Sequence, residues 1–218
     1  SKGSVGACGD LSPMSQIAMA MMGEGEAFFE GKRMPSADAL SSAGLNPIEL
    51  EARDGLAIIN GSNMLTAMAA LTLCDALRWL KYHDISAAMT LEALNANLLA
   101  FDPRLHELKG FNGSMQVASN ILKLTEGSAI VTSTGKKVQD AYSLRSTPQV
   151  IGSLKDAMKY AISQVEIELN GVGDNPVFIV DEERVITGAN FQGSPVSLPM
   201  EMVGIGLSMA AVLSERRL

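Results

Sequence analysis

The segment Gly6-Ala7-Cys8-Gly9-Asp10-Leu11-Ser12-Pro13 sets a small residue, a residue with a β-leaving group and a glycine in a row just ahead of a helix start. Such a row can build an electrophile out of backbone. The Gly9 amide nitrogen carries no hindering side chain, so it is able to attack the Ala7 carbonyl carbon and close a five-membered ring with loss of water. Elimination across the Cys8 side chain then expels hydrogen sulfide and leaves an exocyclic methylene conjugated with the ring. Ser12-Pro13 reads as an N-cap followed by proline at the first helical position. The positive end of that helix favours negative charge developing beside it. Taken alone, the same segment also reads as a flexible loop holding a small apolar cysteine.

The rest of the composition narrows the class. The 24 acidic against 17 basic residues give a net charge of −7 and leave no cationic excess for a phosphate backbone, so nucleic acid is excluded as a partner. Cys8 and Cys74 cannot make a disulfide framework, and with His83 and His106 they lack ligand spacing, so no metal is expected. Cys74 falls in an all-apolar helix and reads as packing. The longest apolar run, Val196 to Leu213, contains Pro199 and Glu201 and reads as a core helix, with no membrane partner. Ser1-Lys2-Gly3 enters the glycine loop without a signal peptide, and a reduced, cytoplasmic setting is the expectation.

The elements that must position this chemistry are helical nearly throughout. Helices are expected over Met14 to Phe29, Ala37 to Ser42, a turn near Glu49 to Arg53, Ser62 to Lys81, Ile85 to Leu99 and Asn112 to Leu124. Thr132 to Lys137 reads as loop. From Pro148, the residues Val150, Leu154, Met158, Ala161, Val165 and Leu169 recur at three or four and mark one stripe of a long helix ending at Asn170-Gly171. At ~1.5 Å per residue it spans roughly 30 Å. Val177 to Val180 and Arg184 to Thr187 flank an acidic turn and form a candidate hairpin. Ser197 to Arg217 closes the chain as a helix. The expected fold is all-α: an elongated bundle of long antiparallel helices with at most one short β-hairpin, residues 1–218 making a single domain.

With these landmarks in order, the chain resembles the aromatic amino-acid ammonia-lyases and their related aminomutases. Gly6 to Met14 resembles that family's signature, in which Ala-Ser-Gly cyclises to methylidene-imidazolone (MIO). Gly55-Leu56-Ala57-Ile58-Ile59-Asn60-Gly61-Ser62 is similar to its asparagine motif, and Val138-Gln139-Asp140-Ala141-Tyr142-Ser143-Leu144-Arg145 to its Gln…Tyr…Arg segment. Asp174-Asn175-Pro176, Gly188 to Gly193 and Ser214-Glu215-Arg216-Arg217 follow in order. The resemblance implies that Ala7, Cys8 and Gly9 form the MIO cofactor, with Asp10 supporting cyclisation. It implies that Asn60 hydrogen-bonds the electrophile and the substrate amine, and that Arg145 pairs with the substrate carboxylate, a task suited to a planar two-pronged cation. Gln139 and Tyr142 would complete the polar network, and Phe191 and Gln192, with Asn190 nearby, would line the substrate pocket. Each residue has a plainer reading beside this one. Asn60-Gly61 is turn chemistry, Arg145 with Tyr142 is a surface pair, and Tyr142 or Phe191 fills a core.

Two departures from the family pattern stand out. Cys8 replaces the usual serine, which changes the expelled group and leaves the methylene the same. Gly110-Phe111-Asn112-Gly113-Ser114 stands where His-Pro-Gly-Gln is usual. Family members are also longer, so the resemblance implies a central part of a longer lyase, with the tyrosine base contributed upstream. The implied function is removal of ammonia from an aromatic L-amino acid, histidine first and phenylalanine or tyrosine next, in a homotetramer with shared sites. A 2,3-aminomutase and a catalytically silent helical oligomerisation fragment are the alternatives.

Overall fold

Backbone geometry at a few glycines and polar residues decides where the helices of this chain stop. A computed structural model describes residues 11–218, so Ala7, Cys8, Gly9 and Asp10 lie outside the described residues. The elements are α1 (Leu11–Met21), β1 (Glu26–Phe29), β2 (Lys32–Pro35), α2 (Ser36–Ser42), α3 (Asp54–Ile59), α4 (Asn63–Ala93), α5 (Pro103–Glu107), α6 (Asn112–Leu124), α7 (Tyr142–Arg145), α8 (Thr147–Asn170), β3 (Val177–Ile179), β4 (Arg184–Ile186) and α9 (Ser194–Glu215). Helices dominate, as expected. Contacts divide the described residues into two compact units, residues 11–69 with 165–197 and residues 70–164 with 198–218.

In the first unit, α1 ends at Met21 rather than running to Phe29. Gly23 and Gly25 adopt φ of +81° and +67°, a left-handed backbone that helices do not continue through. The residues beyond pair instead as an antiparallel hairpin, with Glu26 opposite Pro35 and Phe29 opposite Lys32. Glu30 and Gly31 form its two-residue turn with both φ positive, the geometry that matches strand twist. This hairpin is additional to the expected one, which is present as β3–β4 with Val177 opposite Ile186. The turn of helix expected near Glu49 to Arg53 lies later, as α3.

In the second unit, the stretches expected as two helices, Ser62 to Lys81 and Ile85 to Leu99, are one, since α4 runs unbroken to Ala93. The polar His83-Asp84 pair between the two expected stretches is buried, and Asp84 is served by other helices. Asp84 Oδ2 accepts from Asn120 Nδ2 and Lys155 Nζ, each at 2.7 Å. Burial pushes this carboxyl up, but the neighbouring His83 ring, 3.8 Å away, and the hydrogen bonds from Lys155 and Asn120 outweigh it and hold the group below the ordinary carboxylate range. Leu80, Leu91, Val117, Ile121, Ile151, Leu154 and Met158 form the core. α6 and α8 touch backbone to backbone: a Cβ on Gly113 would lie 2.0 Å from the Gly152 carbonyl oxygen, so only glycine fits.

Both long apolar helices keep an uncovered face. On α9, Leu198, Met202, Ile205, Met209 and Val212 are exposed at spacings of four and three, and on α4 Met68, Leu71, Tyr82, Ile85 and Met89 are exposed. Cys74, expected as packing, is exposed as well. The periodicity of α4 is apolar on most faces, and this chain covers only some of them. By length and composition alone both helices would also suffice to cross a membrane.

Candidate functional site

The residues that the sequence singled out fall into two sets, one in each unit. In the first unit, α3 delivers Asn60. Its last turn closes with the Asn60 N–H donating to the Leu56 carbonyl at 2.9 Å, and Asn60 then turns extended, at φ −90° and ψ 92°. The segment 60–62 lies close against 168–175. A Cβ on Gly61 would sit 3.1 Å from the Gly173 carbonyl oxygen, and Ser62 Oγ donates to Glu168 Oε1 at 2.6 Å.

That approach brings Asn60 to the Asp174-Asn175-Pro176 corner. Asn60 Nδ2 donates to Asp174 Oδ1 at 2.9 Å and to the Asn175 carbonyl at 3.3 Å. Arg53 reaches the same corner: Nη1 donates to Asp174 Oδ2 and Nη2 to the Pro176 carbonyl, each at 2.8 Å. Its guanidinium also lies 5.2 Å from the centre of the Phe178 ring, a cation–π distance. The Asp174 and Arg53 side chains are only 16% and 24% exposed, which limits screening of the pair. Burial pushes the Asp174 carboxyl up, but Arg53, the Asn175 N–H and Asn60 together hold it below the ordinary range.

Arg53 makes these contacts from a left-handed backbone, φ +78°, at the N-terminus of α3. That conformation in a non-glycine residue costs about 1 kcal/mol and persists where surrounding contacts overdetermine it. Sequence reading missed Arg53 entirely and treated Asp174 as a landmark without a role. The one available signal was the Asp-Asn-Pro corner itself.

The other first-unit candidates follow β4. Gly188 N donates to Asn175 Oδ1 at 2.8 Å and Asn190 Nδ2 to the Val172 carbonyl at 3.2 Å, tying 188–192 to the same corner. Asn190 and Gln192 line a cleft of about 350 Å³ with Glu168 and Gly173. Phe191 is half-buried beside them and is not among the residues lining that cleft.

In the second unit, Gln139 stands exposed on the loop before α7. That loop is pinned from below: Asp140 Oδ2 accepts from the Asn97 N–H at 2.6 Å, Asn97 Nδ2 donates to the Lys137 carbonyl at 3.0 Å, and Lys136 Nζ donates to the Ala96 carbonyl at 2.7 Å. Tyr142 and Arg145 occupy the single turn of α7, with the guanidinium 5.7 Å from the centre of the tyrosine ring. Tyr142 is 72% exposed, so it is not a core tyrosine of this chain. The backbone beneath is held by Arg217, whose Nε donates to the Ser143 carbonyl at 3.0 Å and whose Nη2 donates to Thr147 Oγ1 at 2.7 Å. Burial lowers the pKa of Arg217.

Arg145 differs from every other arginine. Arg33, Arg53, Arg78, Arg104, Arg184 and Arg216 each face a carboxylate, and Arg217 is spent on backbone and hydroxyl acceptors. Among the described residues the Arg145 guanidinium has only the Tyr142 face. An exposed, unpaired fork on a rigid turn is a ready receptor for a carboxylate. Among the described residues no group of three or more His, Cys, Asp or Glu could hold a metal ion.

The chain is similar to known proteins over its whole length. The chain is 49% identical over 218 residues to a histidine ammonia-lyase of Clostridium tetani, covering 100% of this chain and 42% of that protein. Among solved structures, the phenylalanine aminomutase of Pantoea agglomerans superposes with a TM-score of 0.90 at 30% identity, over 99% of this chain and 45% of that one. The histidine ammonia-lyase of Trypanosoma cruzi superposes with a TM-score of 0.85 at 32% identity, over 99% of this chain and 40% of that one. The chain thus spans less than half the length of the relatives it matches. The family model described as aromatic amino acid lyase matches residues 1–218, and the chain belongs to that family.

Proposed function

We propose that the protein containing this chain removes ammonia from an aromatic L-amino acid, histidine first, and releases the trans-2,3-unsaturated acid. The observation that carries the reading is the Arg145 guanidinium, unpaired among the described residues, on its stapled turn, within a chain that matches the lyase family from end to end. The 49% identity to a histidine ammonia-lyase favours histidine over phenylalanine and tyrosine.

The residues divide the work by chemistry. Arg145 anchors the substrate carboxylate with two parallel N–H donors, and Tyr142 and Gln139 add a hydroxyl and an amide beside it. Asn60 accepts from the substrate amine, while Phe191 and Gln192 meet its ring. Among the described residues, the neutral amide and hydroxyl groups and the Arg145 guanidinium assigned here fit a neutral, polarised ring cofactor, so Ala7, Cys8 and Gly9 are assigned to MIO and Asp10 to its formation. The cofactor supplies the electrophile that lets a poorly acidic β-proton leave together with ammonia. Its precursor loses one water and one hydrogen sulfide, since Cys8 stands in the serine position.

Residues 1–218 then form the central helical domain of a longer, cytoplasmic enzyme. Uncovered apolar stripes on α4 and α9 support assembly into a homotetramer whose sites draw on several subunits. The superposition on an aminomutase favours one second reading, in which the same site returns ammonia to the β-carbon.

Intact mass of the full-length protein, with peptide mapping across Gly6 to Asp10, tests the cofactor assignment. Loss of one water plus one hydrogen sulfide at Ala7-Cys8-Gly9 is the expected result, with ammonia and the unsaturated acid released from L-histidine. An unmodified loop and no ammonia release would leave a silent helical oligomerisation part instead. A β-amino acid product would identify the aminomutase.

A further inference from the structure

The amide of Asn60 is presented in one orientation, and the corner that presents it has its own chemistry. Both acceptors facing Nδ2, the Asp174 carboxylate and the Asn175 carbonyl, can only accept, so the two N–H bonds of the amide are both committed. Rotating the amide by half a turn would set its oxygen against a carboxylate oxygen, which the low exposure of the Asp174 side chain makes costly. The carbonyl oxygen of Asn60 is left with no donor among the described residues. It is an acceptor held ready for an N–H.

The carboxylate is fixed in turn. Asp174 Oδ2 takes Arg53 Nη1, and Oδ1 takes both Asn60 Nδ2 and the Asn175 N–H, the latter at 2.7 Å. Arg53 is held by the Pro176 carbonyl and the Phe178 ring, and its own strained backbone starts the helix that ends at Asn60. The polar contacts close a loop from Arg53 through Asp174 to Asn60, and α3 returns the chain to Arg53.

We infer that Asp174 and Arg53 are positioning residues that lock the Asn60 amide with its carbonyl oxygen toward the substrate's amino group. What Asn60 meets rests on the lyase reading above; the lock itself rests on this geometry alone. The consequence is selective. A ligand bearing an α-amino group depends on the Asp174 lock, and one that offers only the ring and carboxylate does not.

The test uses the full-length enzyme with Asp174→Ala, Asn60→Ala and the double variant, assayed on the aromatic amino acid that the wild type turns over. Each single change is expected to lower kcat by about 10- to 100-fold, the scale of a misplaced reacting group. The double variant is expected to be no slower than Asn60→Ala, because the lock has nothing left to hold. Binding of that amino acid should weaken at least several-fold more than binding of the matching 3-arylpropanoate, which lacks the amine. A merely structural corner would weaken both ligands alike. Asp174→Asn, which keeps an acceptor for Asn60 and loses the charge, is expected to fall between wild type and alanine, and it serves if the alanine variant folds poorly.

Additive losses, or equal weakening of the two ligands, overturn the inference. If the wild type releases no ammonia from any aromatic amino acid, the lyase reading falls separately. The crystal structure of Asp174→Ala then still decides the lock: a rotated or disordered Asn60 amide supports it, and an unchanged amide overturns it.

Discussion

The asparagine corner and the arginine turn hold their working groups in opposite ways. At the corner, the side chain itself is gripped: Asn60 gives both amide hydrogens to a carboxylate and a carbonyl, and the carboxylate is gripped by Arg53. At the turn, the grip falls on backbone, where Arg217 ties the Ser143 carbonyl and Thr147 while Arg145 and Tyr142 stand in solvent. The difference follows from the bond each group must make. A neutral amide has two chemically distinct ends, so orientation is its whole content. A guanidinium is a donor along its whole outer edge, and a local carboxylate would neutralise the charge proposed to recognise the substrate.

The largest test of this contrast is removal of the Arg145 guanidinium. Arg145→Ala in the full-length enzyme should lower kcat/KM by about 10³-fold, the scale of deleting one partner of a desolvated charge pair. The melting temperature should stay within about 1 °C, because among the described residues the exposed side chain meets only the Tyr142 ring. A large loss of stability would show that Arg145 is a structural residue after all.

Next comes the staple beneath. Arg217→Ala should cost about 2 kcal/mol in denaturant unfolding, since charge-assisted hydrogen bonds to Ser143 and Thr147 vanish together. Activity should fall by less than in Arg145→Ala. Equal losses of activity would mean that position, rather than charge, dominates at the turn.

At the corner, acid is the sharper probe. The Asp174 carboxyl is held below its ordinary value of 3.8, so its contribution is complete above that pH and is lost as pH falls through the lower folded value. Denaturant unfolding between pH 6 and pH 2 should therefore show wild type above Asp174→Asn by about 1 kcal/mol at the upper end, with the two converging in acid. A constant gap would remove the charged lock. Asp84 is depressed for a similar reason and contributes to the same acid limb, so the comparison with Asp174→Asn isolates the corner.

The smallest effect concerns the approach of 60–62 to 171–175. Gly61→Ala places a Cβ 3.1 Å from the Gly173 carbonyl oxygen, a contact relieved by a few tenths of an ångström. It should cost about 1 kcal/mol or less in stability. If it lowers kcat more than it lowers stability, the corner's alignment is tight enough to be felt at Asn60.

Local signals were sufficient for much of this. The stripe from Val150 to Leu169, Pro148 near its start and Asn170-Gly171 at its end located α8 nearly to the residue, because a helix is closed by interactions within a few residues of itself. The hairpin after Asp174-Asn175-Pro176 was legible for the same reason, and the motifs named Asn60, Tyr142 and Arg145 as residues of interest. The extra hairpin at Glu26 to Pro35 was hidden, since Gly23 and Gly25 read as weak helix residues until their positive φ showed a true stop. The continuity of α4 through His83-Asp84 was hidden because the partners that satisfy Asp84 come from Asn120 and Lys155.

Residue type, periodicity and order along the chain therefore determined the helical class, the Ala7-Cys8-Gly9 row proposed to form the electrophile, and the names of the candidate side chains. Only the tertiary structure decided which of them are held and which are free. Arg53 and Asp174 are separated by 121 residues, and no local pattern ties one to the other. Their pairing exists because folding removes both from water at the same place, where a buried charge must find its partner and an amide beside it can point only one way.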